Sequence, residues 1–242
     1  MDEESLPICN GRAIARLCAR EGAAVACADL HLGSAEETMR QIVDDEGGRG
    51  VAIAANASDE GDVERMVTEA VDGLGGLDGL VCNVGIGRGR DLDGTSAKWW
   101  DLVMSVNLRS HFLACKYALP AMQEGGSVVL ISSVAGLTPG SHMPAYDASK
   151  AALEGLKRHV AIEGERAGVR VNVVAPGLID TPLGRIATEG RPSRTKGRLP
   201  FGRQGTAWEV AQAVVFLLSD EASYVHAQTL AVDGGLTNRP YG

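Results

Sequence analysis

The sequence predicts a single α/β domain built on a doubly wound parallel sheet whose first strand is missing or irregular. Four observations predict it. Short apolar runs alternate with amphipathic stretches along all 242 residues, the pattern of a parallel sheet with helices on both faces. That length, with 45% apolar residues and 31 glycines, suits one sizeable domain and is short for two. No repeat, low-complexity tract or Pro/Ser-rich linker divides residues 1–242. Finally, the chain opens on MDEESLPICNGRAIARL, which enters a helix without the apolar strand that should precede it.

Residues 1–10 form an atypical N-terminal segment, with three acids among the first four residues and a Pro7 that lacks a ladder N–H. After Gly11, the residues Ala13, Ile14, Leu17 and Cys18 recur at helical spacing, and Gly22 ends the helix. Residues 24–28 are a buried-type strand that closes on Asp29. Helix, turn, strand and acid is the order of a dinucleotide-binding crossover, in which a glycine-rich turn lets backbone N–H groups approach a pyrophosphate at a helix N-terminus. Counting back from Gly11, the other two turn glycines would fall on Cys9 and Ser5. Further strand-like runs lie at 51–55, 80–83, 127–132, 169–175 and 229–232, between helical stretches near 34–46, 59–74, 97–123, 145–167 and 207–219. The long irregular stretch 178–205, carrying Arg185, Arg191, Arg194, Lys196 and Arg198, reads as a substrate-loop region, with a solvated charged loop as its alternative.

A net charge of −8 and a pI near 5.2 argue against a nucleic-acid or anionic-membrane partner and leave a small molecule as the ligand class. The five cysteines, at 9, 18, 27, 82 and 115, lack metal-ligand spacing and mostly sit within apolar runs, so they read as reduced core residues and no metal is expected. Without a signal peptide or an apolar run of about 18 residues, a cytoplasmic location is expected.

The chemistry gathers in SSVAGLTPGSHMPAYDASKAALEGL. Tyr146 and Lys150, four apart at the start of a helix, share one face. Ser133 follows an apolar strand, and open parallel sheets place their sites at strand ends. A phenol with a reference pKa near ~10 is a poor base at neutral pH, and a neighbouring ammonium stabilises its phenolate. Ser133 would hold a substrate oxygen while Tyr146 takes or gives its proton and hydride moves at the adjacent carbon.

From about Gly11 to Leu236 the chain resembles the short-chain dehydrogenase/reductase family through an ordered set of motifs: CNVGIG, VNLRSHF, SSVAG, YDASK, VAPGLIDTPL and LAVDGG. The resemblance implies a Rossmann-like fold and an oxidoreductase that interconverts a secondary alcohol and a ketone. Ser133, Tyr146 and Lys150 would be its catalytic triad, and Asn107 a fourth member that holds a water in the proton relay through a local helix distortion. Gly11, Asp29, Asn56, Asn83, Gly85, Pro176, Gly177, Ile179 and Thr181 would line the cofactor, with Tyr146 and Lys150 reaching its nicotinamide end. Asp29 would bind the adenosine ribose and repel the extra phosphate of NADP, so NAD is expected over NADP. Asn56 stands where the family has an aspartate, and Val84 where it has an alanine. The apolar side chains Trp99, Trp100, Leu102, Val103, Phe112, Leu113 and Tyr117 resemble the family's dimer-forming helix, so a homotetramer or homodimer is expected.

The family's first strand is central and apolar on both faces, and MDEESLPIC is neither. Each core side chain so forgone is worth about 1.5 to 3 kcal/mol. Residues 2–9 as a poor substitute, a partner that fills the gap, or a different start of the working protein are the three explanations, and the last is the expectation. If Met1 is the start, the side chains of Cys9 and Ser5 would weaken pyrophosphate binding. The rival to the enzyme is a catalytically impaired scaffold or binding protein that keeps the fold.

Overall fold

The computed structural model describes residues 7–188 and 199–238. Its first half is α1 (Asn10–Arg20), β1 (Ala24–Asp29), α2 (Leu32–Glu46), β2 (Arg49–Ala54), α3 (Glu60–Leu74) and β3 (Gly79–Cys82). These elements are separated by sharp stops. Gly22, Gly47 and Gly75 take φ of 91°, 62° and 79°, a left-handed region open to glycine, and end α1, α2 and α3. Asp59 opens α3 by accepting the N–H of Asp62.

The second half runs α4 (Ala97–Met104), α5 (Ser110–Ala118), β4 (Ser127–Ile131), α6 (Pro144–Arg166), β5 (Arg170–Pro176), β6 (Ile179–Asp180), α7 (Pro182–Thr188), β7 (Gly205–Thr206), α8 (Ala207–Leu218) and β8 (Thr229–Val232). A reciprocal pair of bonds between Thr206 and Glu209 caps α8.

All strand pairs are parallel, but the sheet is not continuous. β1 pairs with β2 alone, β3-β4-β5-β8 form a second sheet, and β6 pairs with β7. Among the described residues no strand pairs with the free edges of β1 and β3. Residues 7–9 run outside any ladder there, and Ile8 packs on the neighbouring core. The missing or irregular first strand is thus visible as a gap in the sheet. α1 spans it on one face, touching β1 and packing Ala13 and Ile14 in the cluster that receives Val81 of β3. On the other face α3 touches β1 and sets Val63 and Val67 against Leu80.

β4 and β5 are buried at nearly every position. α1 and α8 cover one face of their sheet, and α3, α5 and α6 the other. β1 and α2 share a smaller core around Cys27, Ala35, Met39 and Ile42.

Three expectations need correction. The helix over 97–123 is interrupted: a π-helical turn over Ser105–Arg109 separates α4 from α5, and a 3-10 turn over Leu119–Ala121 follows. The stretch 178–205 is not irregular in its described part, since it holds β6, α7 and β7. Cys9 is exposed, whereas Cys27, Cys82 and Cys115 are buried free thiols. Ser5, Arg191, Arg194, Lys196 and Arg198 lie outside the described residues. Among those described, no helix is long and apolar enough to cross a membrane.

Candidate active site

The C-terminal ends of β3, β4 and β5 and the first turns of α6 converge on one site. Ser133, two residues beyond β4, caps the short turn Val134–Gly136 by accepting the N–H of Ala135 at 3.2 Å. Pro144 opens α6, where its missing N–H costs nothing. Tyr146 and Lys150 then stand one turn apart, with the Lys150 ammonium 5.8 Å from the centre of the Tyr146 ring. β4 is tied to α6 by two further bonds: Lys150 Nζ donates to the Ile131 carbonyl at 2.8 Å, and Ser132 Oγ to that of Lys150 at 2.9 Å. Lys150 is 3% exposed, and its burial pulls the ammonium pKa down to about 8.

Asn107 lies fully buried in the π-helical turn. Its amide grips the loop after β3 at both ends: Nδ2 donates to the Ile86 carbonyl at 2.9 Å, and the Ile86 N–H donates to Oδ1 at 2.8 Å. Nδ2 also donates to Ser149 Oγ at 3.1 Å, which in turn donates to the Tyr146 carbonyl at 2.8 Å. The extra residue of a π turn re-aims one side chain out of register with its helix, and here that side chain is Asn107. Ile86 and Ser149 are the partners that sequence reasoning missed.

Gly85 is where the loop comes closest, since a Cβ there would lie 3.2 Å from Lys150 Nζ and 3.7 Å from Asn107 Oδ1. Gly11 meets Asn83 in the same way, its added Cβ falling 2.8 Å from Asn83 Nδ2. The N-terminus of α1 thus abuts the end of β3. Among the described residues no side chain caps α1 at Cys9, and uncapped first-turn N–H groups suit an anion.

Asp29 is exposed at the end of β1, one carboxylate oxygen accepting the His31 N–H at 2.9 Å. Asn56 is also exposed, but its Oδ1 already accepts the Ser58 N–H at 3.0 Å. At the end of β5, Gly177 donates to the Val232 carbonyl at 3.0 Å and allows Asp233 to within 2.7 Å of where a Cβ would sit. Beyond Pro176 and Gly177, Ile179 is buried in the core cluster that also holds Val174 and Ala207. Thr181 Oγ1 accepts the Gly184 N–H at 3.0 Å at the start of α7.

Beneath the site, His111 is 1% exposed and its Nδ1 lies 3.0 Å from Ser110 Oγ. Burial, reinforced by the charge of Lys150, drives its pKa down to about 3, so the ring is neutral. The thiol of Cys82, at the end of β3, is pushed up by its contact with Cys115 and by burial. Among the described residues no three side chains are grouped to hold a metal.

The family model described as enoyl-(acyl carrier protein) reductase matches residues 10–237. The chain is 39% identical over 239 residues to 2-(S)-hydroxypropyl-CoM dehydrogenase 3 of Xanthobacter autotrophicus, covering 94% of this chain and 92% of that one. It is 38% identical over 232 residues to a protein of the same organism named inactive 2-(S)-hydroxypropyl-CoM dehydrogenase 2, covering 93% and 99%. The crystal structure of levodione reductase superposes with a TM-score of 0.90 at 34% identity, covering 96% of this chain and 94% of that chain.

Proposed function

We propose, for a chain that belongs to the short-chain dehydrogenase/reductase family and is an oxidoreductase on that account, that it interconverts a secondary alcohol and a ketone with NAD, using Tyr146 as its acid and base. The observation that carries this reading is the ammonium of Lys150 buried one helical turn from the Tyr146 ring and beside the strand that leads to Ser133.

The residues fit a nicotinamide dinucleotide. N–H groups at the start of α1, uncapped among the described residues, suit a pyrophosphate, the exposed Asp29 carboxylate suits ribose hydroxyls, and Gly85 leaves room beside Lys150 that a Cβ would crowd. Bound there, the nicotinamide supplies or accepts the hydride. Ser133 donates its hydroxyl to the substrate oxygen and fixes its position. During ketone reduction, Tyr146 gives that oxygen a proton, and during alcohol oxidation it takes the proton back. The positive charge of Lys150 lowers the cost of the phenolate. Asn107 holds Ile86 and Ser149, and through them the wall and floor beside Tyr146.

Asp29 favours NAD over NADP because a carboxylate there repels an added phosphate. Trp99, Trp100 and Phe112 are 38%, 39% and 48% exposed beside a groove lined by Met104, Leu108 and Leu156, which supports a homodimer or homotetramer built on α4, α5 and α6. A catalytically impaired protein is the second reading. It is favoured by the gap between β1 and β3, the exposed Cys9 at the head of α1, and the likeness to a relative named inactive.

Titration with NADH, followed by nicotinamide fluorescence, separates the two. Saturable binding, and turnover of a secondary-alcohol panel with NAD, are expected. Tyr146→Phe should keep the binding and lose turnover by about 10²-fold or more. A wild-type chain that binds no NADH at millimolar concentration would rule out the enzyme.

A further inference from the structure

Two loops meet above the site through residues that the chemistry leaves unused. One joins β3 to α4 and carries Asp91, and the other joins β4 to α6 and carries His142. The Asp91 N–H donates to the His142 carbonyl at 2.9 Å, and His142 Nδ1 lies 3.0 Å from Asp91 Oδ1. Both residues hold a left-handed backbone, with φ of 51° and 60°. Aspartate and histidine are among the few side chains that tolerate this region, and such strain persists only where the surroundings impose it.

The surroundings do impose it. The first loop is held at its base by the two bonds from Asn107 to Ile86, and near its tip by Thr95 Oγ1, which donates to the Asp91 carbonyl at 2.7 Å. Gly87 has no Cβ because the Met143 sulfur would lie 2.8 Å from it. On the second loop, Ser141 Oγ accepts the Met143 N–H at 2.9 Å, and the Met143 carbonyl accepts the Asp147 N–H at 2.9 Å. A continuous run of contacts therefore leads from Asp91 through His142 and Met143 to the first turn of α6, next to Tyr146.

We propose that Asp91 and His142 are a positioning pair whose clasp holds the loop after β3 against the start of α6 and so fixes the substrate-facing wall beside Tyr146. The proposal rests on the oxidoreductase reading above. Both side chains are more than half exposed, at 54% and 55%, so their contact adds little to global stability. What it does is add a side-chain contact to two loops that also meet through the Asp91 N–H and at Gly87 against Met143. Beside it, Leu92 stands 86% exposed on the same loop.

The test compares Asp91→Ala, His142→Ala, the double variant and His142→Asn with the wild-type chain. It reads steady-state kinetics on cyclohexanol and a bulkier 4-alkyl cyclohexanol, together with hydrogen exchange of residues 86–95 and 137–143. Each alanine variant should raise KM for cyclohexanol about fivefold with kcat held within about twofold, and shift the preference toward the bulkier alcohol. The double variant should do no more than either single one, because the two side chains act through one contact. Asparagine tolerates the left-handed backbone and donates to Asp91, so His142→Asn should restore most of KM. Exchange in both loops should quicken in the alanine variants alone. Multiplicative effects on KM, a fall in kcat at constant KM, or unchanged exchange would each overturn the clasp. A wild-type chain that binds NADH but turns over neither alcohol overturns the secondary-alcohol reading and the clasp's substrate role with it. Exchange tells the two failures apart, because it reports the clasp without turnover.

Discussion

At Lys150, burial and chemistry pull in opposite directions. The site needs an ammonium next to the phenol, yet the interior lowers the ammonium pKa from 10.5 to about 8. The folded chain therefore binds fewer protons at this group than the unfolded chain between those two values. The penalty for burying the charge is complete below pH 8 and fades as pH rises toward 10.5. Thiols shielded from solvent work the other way: burial pushes the half-buried Cys18 and the buried Cys27 up from 9.0 to about 11, so folding withholds charge from them and loses stability above pH 9. The prediction thus concerns a difference between two chains. In urea unfolding from pH 7.5 to 10.5, the stability of wild type relative to Lys150→Met should climb with pH, by about 3 kcal/mol across the window. A pH-independent difference would mean that Lys150 is not buried as a charge. Tyr146 and Lys150 were legible in the sequence because helix pitch alone puts residues four apart on one face. The links of Asn107 to Ile86 and Ser149 were not, because they join residues 21 and 42 positions apart.

Elements are joined at their ends as well as across their faces. At the C-terminus of α8 the C-cap Ser219 donates its Oγ to the Phe216 carbonyl at 2.9 Å, and Arg170, the first residue of β5, covers the carbonyls that follow. The guanidinium donates to the carbonyls of Leu217 at 2.7 Å, Leu218 at 3.2 Å and Ser219 at 3.0 Å. Ser127, at the start of β4, adds a bond to Leu217 at 2.8 Å. A cation at the negative end of a helix dipole, shared among three carbonyls, fixes α8 against two central strands. Arg170→Ala should lower stability by about 1 to 3 kcal/mol, and Arg170→Lys should recover only part, since an ammonium cannot span three acceptors in one plane. Equal midpoints for the two variants in urea unfolding would show that charge alone suffices. This bond set was invisible in the sequence. So were β6 and β7, which are two residues each and too short to show a period, whereas a helix distortion at Asn107 was expected from the family resemblance and not from the apolar pattern, which continues past the break.

Across the whole molecule, the alternation of apolar runs was enough to read a parallel α/β sheet, and the charge and proline of MDEESLPIC were enough to read its interruption. What the sequence did not contain is how the halves stay together. β1 and β2, with α2, form one unit and β3-β4-β5-β8 another, and no ladder bond joins them among the described residues. The connection is made by helices. α1 packs on α2 and α8, with Arg16 and Arg20 both bound to Glu46 at the end of α2 and both stacked on Trp208 of α8, at 5.7 and 4.5 Å from its ring. α3 packs on β1, β2 and α5. Side-chain packing through two helices transmits less cooperativity than a continuous ladder, so the β1-β2 unit should open at lower free energy than the four-stranded sheet. In native-state hydrogen exchange, amides of residues 24–29 and 49–54 should be less protected than those of 127–131 and 170–176. Trp208→Ala should widen that difference by weakening the α1 bridge. Uniform protection across all four strands would show that the two units unfold as one, and that α1 and α3 couple them as tightly as hydrogen-bonded strands would. Since Asp29 closes β1 while Ser133 follows β4, early opening of the first unit should loosen the dinucleotide end of the site while Tyr146 and Lys150 stay in place.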